Sequence, residues 1–240
     1  MAARLLSRLS AAEAPPPWGL LTAVNSIVIA YVLILMGTFL GTYFVGANAL
    51  ALQISWLTGC VLIVGFVSLS RRRDRAALRL EANGASLILV LLFSLGMAIA
   101  LDVLSLGATR RFLPVPELSS LTQPPAGAVA WVAAILLMVV AQPIAEEQVF
   151  RGITLPALRH ALGSWAGLVV CALAYAVFHQ LAYSSPGDDS VQVWYGLALP
   201  FLVGLVISGV RAYTGSTRAA IVSHMAFGLF AVLKALTLAG

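Results

Sequence analysis

The chain has 240 residues, of which 61% are hydrophobic by type and only 10% are charged. Soluble domains carry roughly 25% charged and about 45–50% apolar residues, so composition excludes a soluble globular domain. It also excludes a disordered, collagen-like or disulfide-framed chain. The formal net charge of +5 points to no nucleic acid, because thirteen of the 14 basic residues are Arg and most sit in short segments between apolar runs. Basic loops of that kind stay on the cytoplasmic side of a membrane.

Residues 1–20 are short, basic and broken by Pro15, Pro16 and Pro17. The first apolar run, 23–45, is followed by Ala47-Asn48-Ala49, which mimics a signal-peptidase site. The apolar stretch is much longer than the roughly 7–15 residues of a signal peptide, so it reads as a retained span. A second run, 49–69, ends at Arg71-Arg72-Arg73-Asp74-Arg75, the strongest cytoplasmic marker in the chain. A third run, 85–106, leads into a connection, 107–126, that contains Pro114, Pro116, Pro124 and Pro125. The fourth begins near Gly127 and ends at Gln142-Pro143; the fifth, sixth and seventh cover 165–183, 191–211 and 218–238. Each approaches the length of about 20 residues that crosses a bilayer.

The expected fold is all-α, a polytopic transmembrane helix bundle of about 7–8 spans with a catalytic-type core in its C-terminal half. It divides into a cytoplasmic N-terminal segment (1–20), membrane helices with an external loop (21–126) and the core (127–238). Counting from a cytoplasmic N-terminus places 1–20, 71–81, 147–164 and 211–218 inside, with eleven of the thirteen Arg. Outside fall 107–126 and 184–190, the latter acidic through Asp188 and Asp189. The chain is therefore expected to be an integral, multi-pass protein of the plasma membrane with its C-terminus outside. Cys60 and Cys171 lie inside apolar runs, where a thiol behaves as a small hydrophobe.

A charge at bilayer depth costs at least about 2.5–3.5 kcal/mol, so polar residues within or beside the spans mark where chemistry can occur. They are Asp102, Gln142, Glu146, Glu147, Arg151, His179, Gln180, His224 and Lys234. Glu147 and Arg151 stand at i and i+4, acid before base, the favoured order for a helical ion pair. Glu146 points about 100° away, so one carboxylate is expected to be neutralised and the other free to face a cavity. Pro143 interrupts the helical ladder, and Gln142 lies one turn before Glu146. The structural alternative is that these charges snorkel at a helix end. His179 has Tyr175 one turn before it, and His224 has Gly228 one turn after. Singly, each histidine reads equally well as interhelical hydrogen-bond glue. Together with a carboxylate they are the parts for activating water, either as base and oxyanion donors or as a two-His, one-carboxylate metal site.

These motifs resemble those of the CPBP intramembrane proteases, the Abi-like family that includes the CAAX prenyl endopeptidases and bacteriocin-processing proteins. The matching segments are Glu146-Glu147-Gln148-Val149-Phe150-Arg151, then Tyr175-Ala176-Val177-Phe178-His179, then His224-Met225-Ala226-Phe227-Gly228. The resemblance covers about 127–238 and implies a hydrolase that cuts a membrane-associated peptide or membrane-anchored protein, with the lipid bilayer as its other partner. It implies Glu146 as catalytic carboxylate, His179 as its partner in activating water, His224 as oxyanion stabiliser and Glu147–Arg151 as a supporting pair. It leaves open a divalent metal such as zinc on Glu146, His179 and His224, or a metal-free glutamate base. Two residues depart from the pattern: Tyr175 replaces Phe, and Gly228 replaces the Asn whose amide would assist His224. Losing one oxyanion donor costs about 10²–10³ in rate. Hence either Gln180 or a water substitutes, or the chain is a slow protease in which Gly228→Asn should raise turnover, or it is an inactive scaffold or immunity-type protein that binds a peptide. Should Gly228 instead let a neighbouring helix pack closely, Asn there should destabilise the fold. A small transporter is a third reading, but no inverted repeat of the usual kind is visible. Counted from the cytoplasmic ends, His224 lies roughly 10 Å deep and His179 roughly 20 Å. The two meet only if the fifth helix starts outside the membrane or tilts.

Overall fold

The computed structural model describes residues 2–81, 86–122, 126–183 and 189–239, so Pro124, Pro125 and Asp188 lie outside the described residues. Among the described residues there are nine helices, apart from the single turn Arg75–Leu78, and no strand. They are α1 (Ala2–Leu9), α2 (Leu20–Val45), α3 (Ala49–Ser70), α4 (Leu87–Thr109), α5 (Pro116–Thr122), α6 (Ala128–Leu162), α7 (Ser164–Ala182), α8 (Ser190–Thr214) and α9 (Thr217–Ala239). Seven of these, all but α1 and α5, are long and apolar enough to cross a membrane. The chain is an integral, multi-pass membrane protein with the expected all-α bundle.

The apolar faces sort by packing. In α2, Ala23, Ala30, Ile34 and Gly37 are buried while Val24, Val28, Val32 and Phe39 stay exposed, a helical stripe turned inward with the remainder left for lipid. The α2–α3 contact uses small residues. A Cβ on Gly37 would meet the Gly59 and Ser55 backbones at 2.5 Å, so only glycine allows the helices this close. Small residues four apart, as at Gly37 and Gly41, are the usual means of close approach in lipid. At the other side α4 packs on α9, α7 packs on α8, and α6 runs through the centre against α2, α3, α7 and α9.

The fourth span differs from expectation. It does not end at Pro143 but continues as one helix to Leu162. The chain passes the proline through a change of helical type. Turns of π-helix at Leu136–Ala141, Gln148–Thr154 and Trp194–Ala198 each end two residues before a proline, namely Pro143, Pro156 and Pro200. Proline has no N–H and its ring pushes against the carbonyl four residues back. In all three cases that carbonyl lies in the widened turn, where i→i+5 bonding absorbs the displacement. A sequence reading that treats proline as a helix end therefore misplaces this boundary.

The long α6 also removes the difficulty over depth. Glu146 and His179 lie at nearly equal chain distances on either side of Gly163, where α6 turns back into α7. They face each other across the α6–α7 hairpin, and α6 reaches the level of Thr217, the start of α9, already at Gly152 and continues to Leu162.

The basic segments gather at one end of the bundle, as their predicted common side requires. Glu13 places one carboxylate oxygen 3.2 Å from Arg159 and the other 3.6 Å from Arg211. Trp18 donates to the Ile153 carbonyl at 2.9 Å, Arg71 covers the Trp18 ring, and Thr217 N–H reaches the Arg79 carbonyl at 3.1 Å. The N-terminal segment is thus strapped across the ends of α6 and α8. Nearer the opposite end, Lys234 of α9 pairs with Asp102 of α4, and its ammonium sits 4.3 Å from the Phe112 ring centre. That contact accounts for both intramembrane charges by mutual pairing. Cys60 and Cys171 are free and buried.

Candidate active site

The short α-helical segment Gln142–Glu147, set between two π-turns, carries three of the polar residues. Glu147 and Arg151 form the expected i, i+4 pair at 3.0 Å, with both side chains fully buried. Arg151 is held further by the Gly204 carbonyl of α8 at 3.0 Å and lies 4.4 Å from the Tyr175 ring centre. Such a permanently charged group requires this enclosure. Glu147 also holds a histidine, since its Oε1 lies 2.9 Å from His224 Nδ1. The other ring nitrogen, Nε2, faces the Tyr175 hydroxyl at 3.3 Å.

Glu146 is not the free carboxylate expected from helix geometry. It is 1% exposed and is engaged at both oxygens. Oε1 accepts from Gln142 Nε2 at 3.0 Å and from the Tyr183 hydroxyl at 2.8 Å, while Oε2 lies 3.0 Å from His179 Nε2. A carboxylate has about four lone-pair positions, so one remains. His179 is flanked on its other side as well, with Nδ1 3.2 Å from Glu117 Oε1. Glu117 belongs to α5 and is 5% exposed.

A cavity of about 100 Å³ opens beside this cluster. Its polar wall is formed by Glu117, Gln142, Tyr175, His179 and His224 together with Tyr195 and the Asp102–Lys234 pair, and its remaining wall is mainly apolar. The volume suffices for a few waters next to polar partners. Glu146 itself does not line the cavity; it lies behind Gln142 and His179, which do and to which it is hydrogen-bonded. The structure thus brings Glu146, His179, Glu147, Arg151, Tyr175 and His224 into one connected network, in two branches. His179 belongs to the Glu146 branch and His224 to the Glu147 branch.

That division bears on the metal reading. A metal-binding imidazole offers a bare nitrogen, yet both nitrogens of His179 face carboxylates and those of His224 face a carboxylate and a hydroxyl. Among the described residues no group of three His, Cys, Asp or Glu is disposed to hold an ion. This arrangement does not fit a metal on Glu146, His179 and His224.

Gly228 also requires a correction. Its missing side chain does not leave room for an amide. A Cβ built there would run into the Met138 carbonyl of the first π-turn, which occupies the space. Gly228 is a packing glycine between α9 and α6, so Gly228→Asn is expected to destabilise the protein and to give no gain in turnover. Thermal unfolding in detergent, read beside activity, checks this; a stable and faster variant would contradict it. Gln180 is not among the cavity-lining residues, whereas Gln142 is.

Sequence reasoning misses Glu117 and Tyr183. Tyr183 lies one turn after His179, the same spacing that singles out Tyr175. Glu117 sits in a Pro-rich connection that reads as an external loop. Its signal is local: Leu118 and Leu121 share one face of a short helix and are fully buried, which makes the adjacent acid part of the interior.

Residues 128–230 match the family model described as Rce1-like, type II CAAX prenyl endopeptidase. No curated protein and no solved structure matches the chain.

Proposed function

Residues 128–230 belong to the type II CAAX prenyl endopeptidase family, and from that premise we propose that Glu146 and His179 activate the water of an intramembrane endopeptidase. The observation that carries this reading is the buried 3.0 Å contact between Glu146 Oε2 and His179 Nε2 beside a water-sized cavity. A water entering from the cavity past Gln142 and His179 gives a proton to the remaining lone pair of Glu146. The water oxygen forms a bond to the scissile carbonyl carbon as that proton leaves. When the C–N bond breaks, the same proton passes from Glu146 to the departing amine; the second water proton stays on the new carboxyl group and then leaves to solvent, giving a carboxylate and an amine. Proton transfer of this kind contributes about 10²–10⁴ in rate.

The oxyanion needs donors on the opposite side of the carbonyl. His224, fixed through Nδ1 on Glu147, presents Nε2 to the cavity when protonated, and the Tyr175 hydroxyl stands beside it. The two departures from the family pattern are thereby linked: where the Asn amide is missing, the Phe position carries a hydroxyl. This also weighs against the inactive-scaffold reading, which rested on the missing amide. The apolar wall, including Leu101, Val203, Phe227 and Phe230, suits a peptide with apolar residues near the cut, of the CAAX or bacteriocin-precursor type.

The test uses purified protein in liposomes with lipid-anchored, quenched-fluorescent peptides bearing apolar residues. The wild type should cleave such a peptide. Tyr175→Phe should remain folded, since only one oxygen is lost, and should be about 10²–10³ slower. Absence of cleavage by folded wild type overturns the assignment. Equal rates for wild type and Tyr175→Phe overturn the role of the hydroxyl.

A further inference from the structure

We propose that Glu117 is a positioning residue for this site: docking of α5 into the bundle sets the orientation and proton content of His179. This rests on the reading of His179 as part of the hydrolytic machinery, and it adds a residue outside the family motifs and outside the segment that matches the family.

Proton counting constrains the state of the ring. His179 Nδ1 is 3.2 Å from Glu117 Oε1, and Nε2 is 3.0 Å from Glu146 Oε2. Each bridge needs one proton, and an ionised carboxylate can only accept. The two bridges therefore hold two protons among three groups, as an imidazolium between two carboxylates or as an imidazole with one carboxylic acid. Remove Glu117 and only the Glu146 bridge remains, with one proton. Glu117 thus supplies the second partner that holds a proton in a bridge at each ring nitrogen and prevents the ring from turning about its Cβ–Cγ bond.

The position of Glu117 is itself constructed rather than incidental. Its backbone carbonyl accepts from Gln53 Nε2 of α3 at 2.9 Å, inside the protein. Leu118 and Leu121, both fully buried, pack α5 against α6 and α9 through Ala130, Ala134, Ala231 and Ala235. A short helix in a proline-rich connection would otherwise remain at the surface. Here three elements, α3, α6 and α9, hold it so that one acid reaches His179 from the side opposite Glu146. The Glu117 side chain also forms part of the cavity wall, so the site is complete only with α5 in place.

The experiment compares wild type, Glu117→Gln and Glu117→Leu in two measurements. The first is the kcat and KM for a cleaved peptide. The second is ¹⁵N NMR of the imidazole nitrogens, tractable because the chain has only three histidines. Glu117→Leu should lower kcat by about 10²-fold, the scale seen when an orienting partner is removed, with KM changed less than about twofold on the same reasoning. One His179 nitrogen should shift from the protonated to the bare type. Glu117→Gln keeps an accepting oxygen at the same reach and should recover much of the loss; it also serves as the test variant if Glu117→Leu does not fold. Unchanged kcat and unchanged nitrogen signals in a folded variant overturn the proposal. So does a rise in KM that accounts for the whole loss, which would make Glu117 only a wall of the cavity. Because the NMR readout needs no turnover, a wild type that cleaves nothing while Glu117 still controls the His179 signals would defeat the proteolytic reading alone.

Discussion

Glu146→Gln should abolish peptide cleavage, with a rate loss of about 10³ or more, while leaving the protein folded. The replacement keeps shape and one carbonyl oxygen. Gln142 Nε2 and the Tyr183 hydroxyl, which donate to Oε1 at 3.0 and 2.8 Å, still find an acceptor. What disappears is the negative charge facing His179 and the base that takes the water proton. Removing charge from an enclosed site also relieves part of its desolvation cost, so unfolding temperature should fall little. Paired measurement of turnover and thermal unfolding in the same detergent decides the matter. A variant that unfolds at once would assign Glu146 to structure; one that cleaves normally would remove it from the chemistry.

Glu147→Ala should do the reverse in proportion, costing about 3–5 kcal/mol of stability as a broken buried pair. Arg151 would remain charged with the Gly204 carbonyl and the Tyr175 ring as its main company. Arg151→Ala should cost a similar amount, and the double variant Glu147→Met/Arg151→Met should be more stable than either single one. Activity adds a second signature. Glu147 also holds His224, so variants at Glu147 should lose turnover even where stability is restored. Arg151→Met combined with intact Glu147 leaves that contact in place. A stability cycle with no coupling between the two positions would contradict the pair, and full activity in the stabilised double variant would contradict the tie to His224.

Much of this architecture is legible in the sequence because lipid imposes a simple rule: long apolar runs become helices, and the few polar residues within them gather together. The seven spans follow from that rule, and the six residues Glu146, Glu147, Arg151, Tyr175, His179 and His224 are singled out by helical spacing together with their resemblance to the family motifs. Three things do not. Pro143 reads as a helix end, yet a π-turn carries the chain past it, and nothing in residue spacing distinguishes the two outcomes. Gly228 reads equally as a close helix contact or as a cavity, because a glycine's emptiness has no direction in sequence; the Met138 carbonyl fills the space. Glu117 is separated from His179 by one full span and most of another, and the contact depends on α5 folding back into the bundle. Local spacing carries no information about which distant carboxylate reaches an imidazole, so it also could not show that Glu146 pairs with His179 while Glu147 pairs with His224.

The central claim, water activation at Glu146 and His179, is tested most directly by hydrolysis in ¹⁸O-enriched water. Purified wild type and Glu146→Gln would be reconstituted in liposomes with a lipid-anchored peptide and the products analysed by mass spectrometry. The account predicts one ¹⁸O in the new C-terminal carboxylate at a single peptide bond with wild type, and no such product above background with folded Glu146→Gln. Cleavage at the same bond and at an equal rate by the two proteins would contradict it.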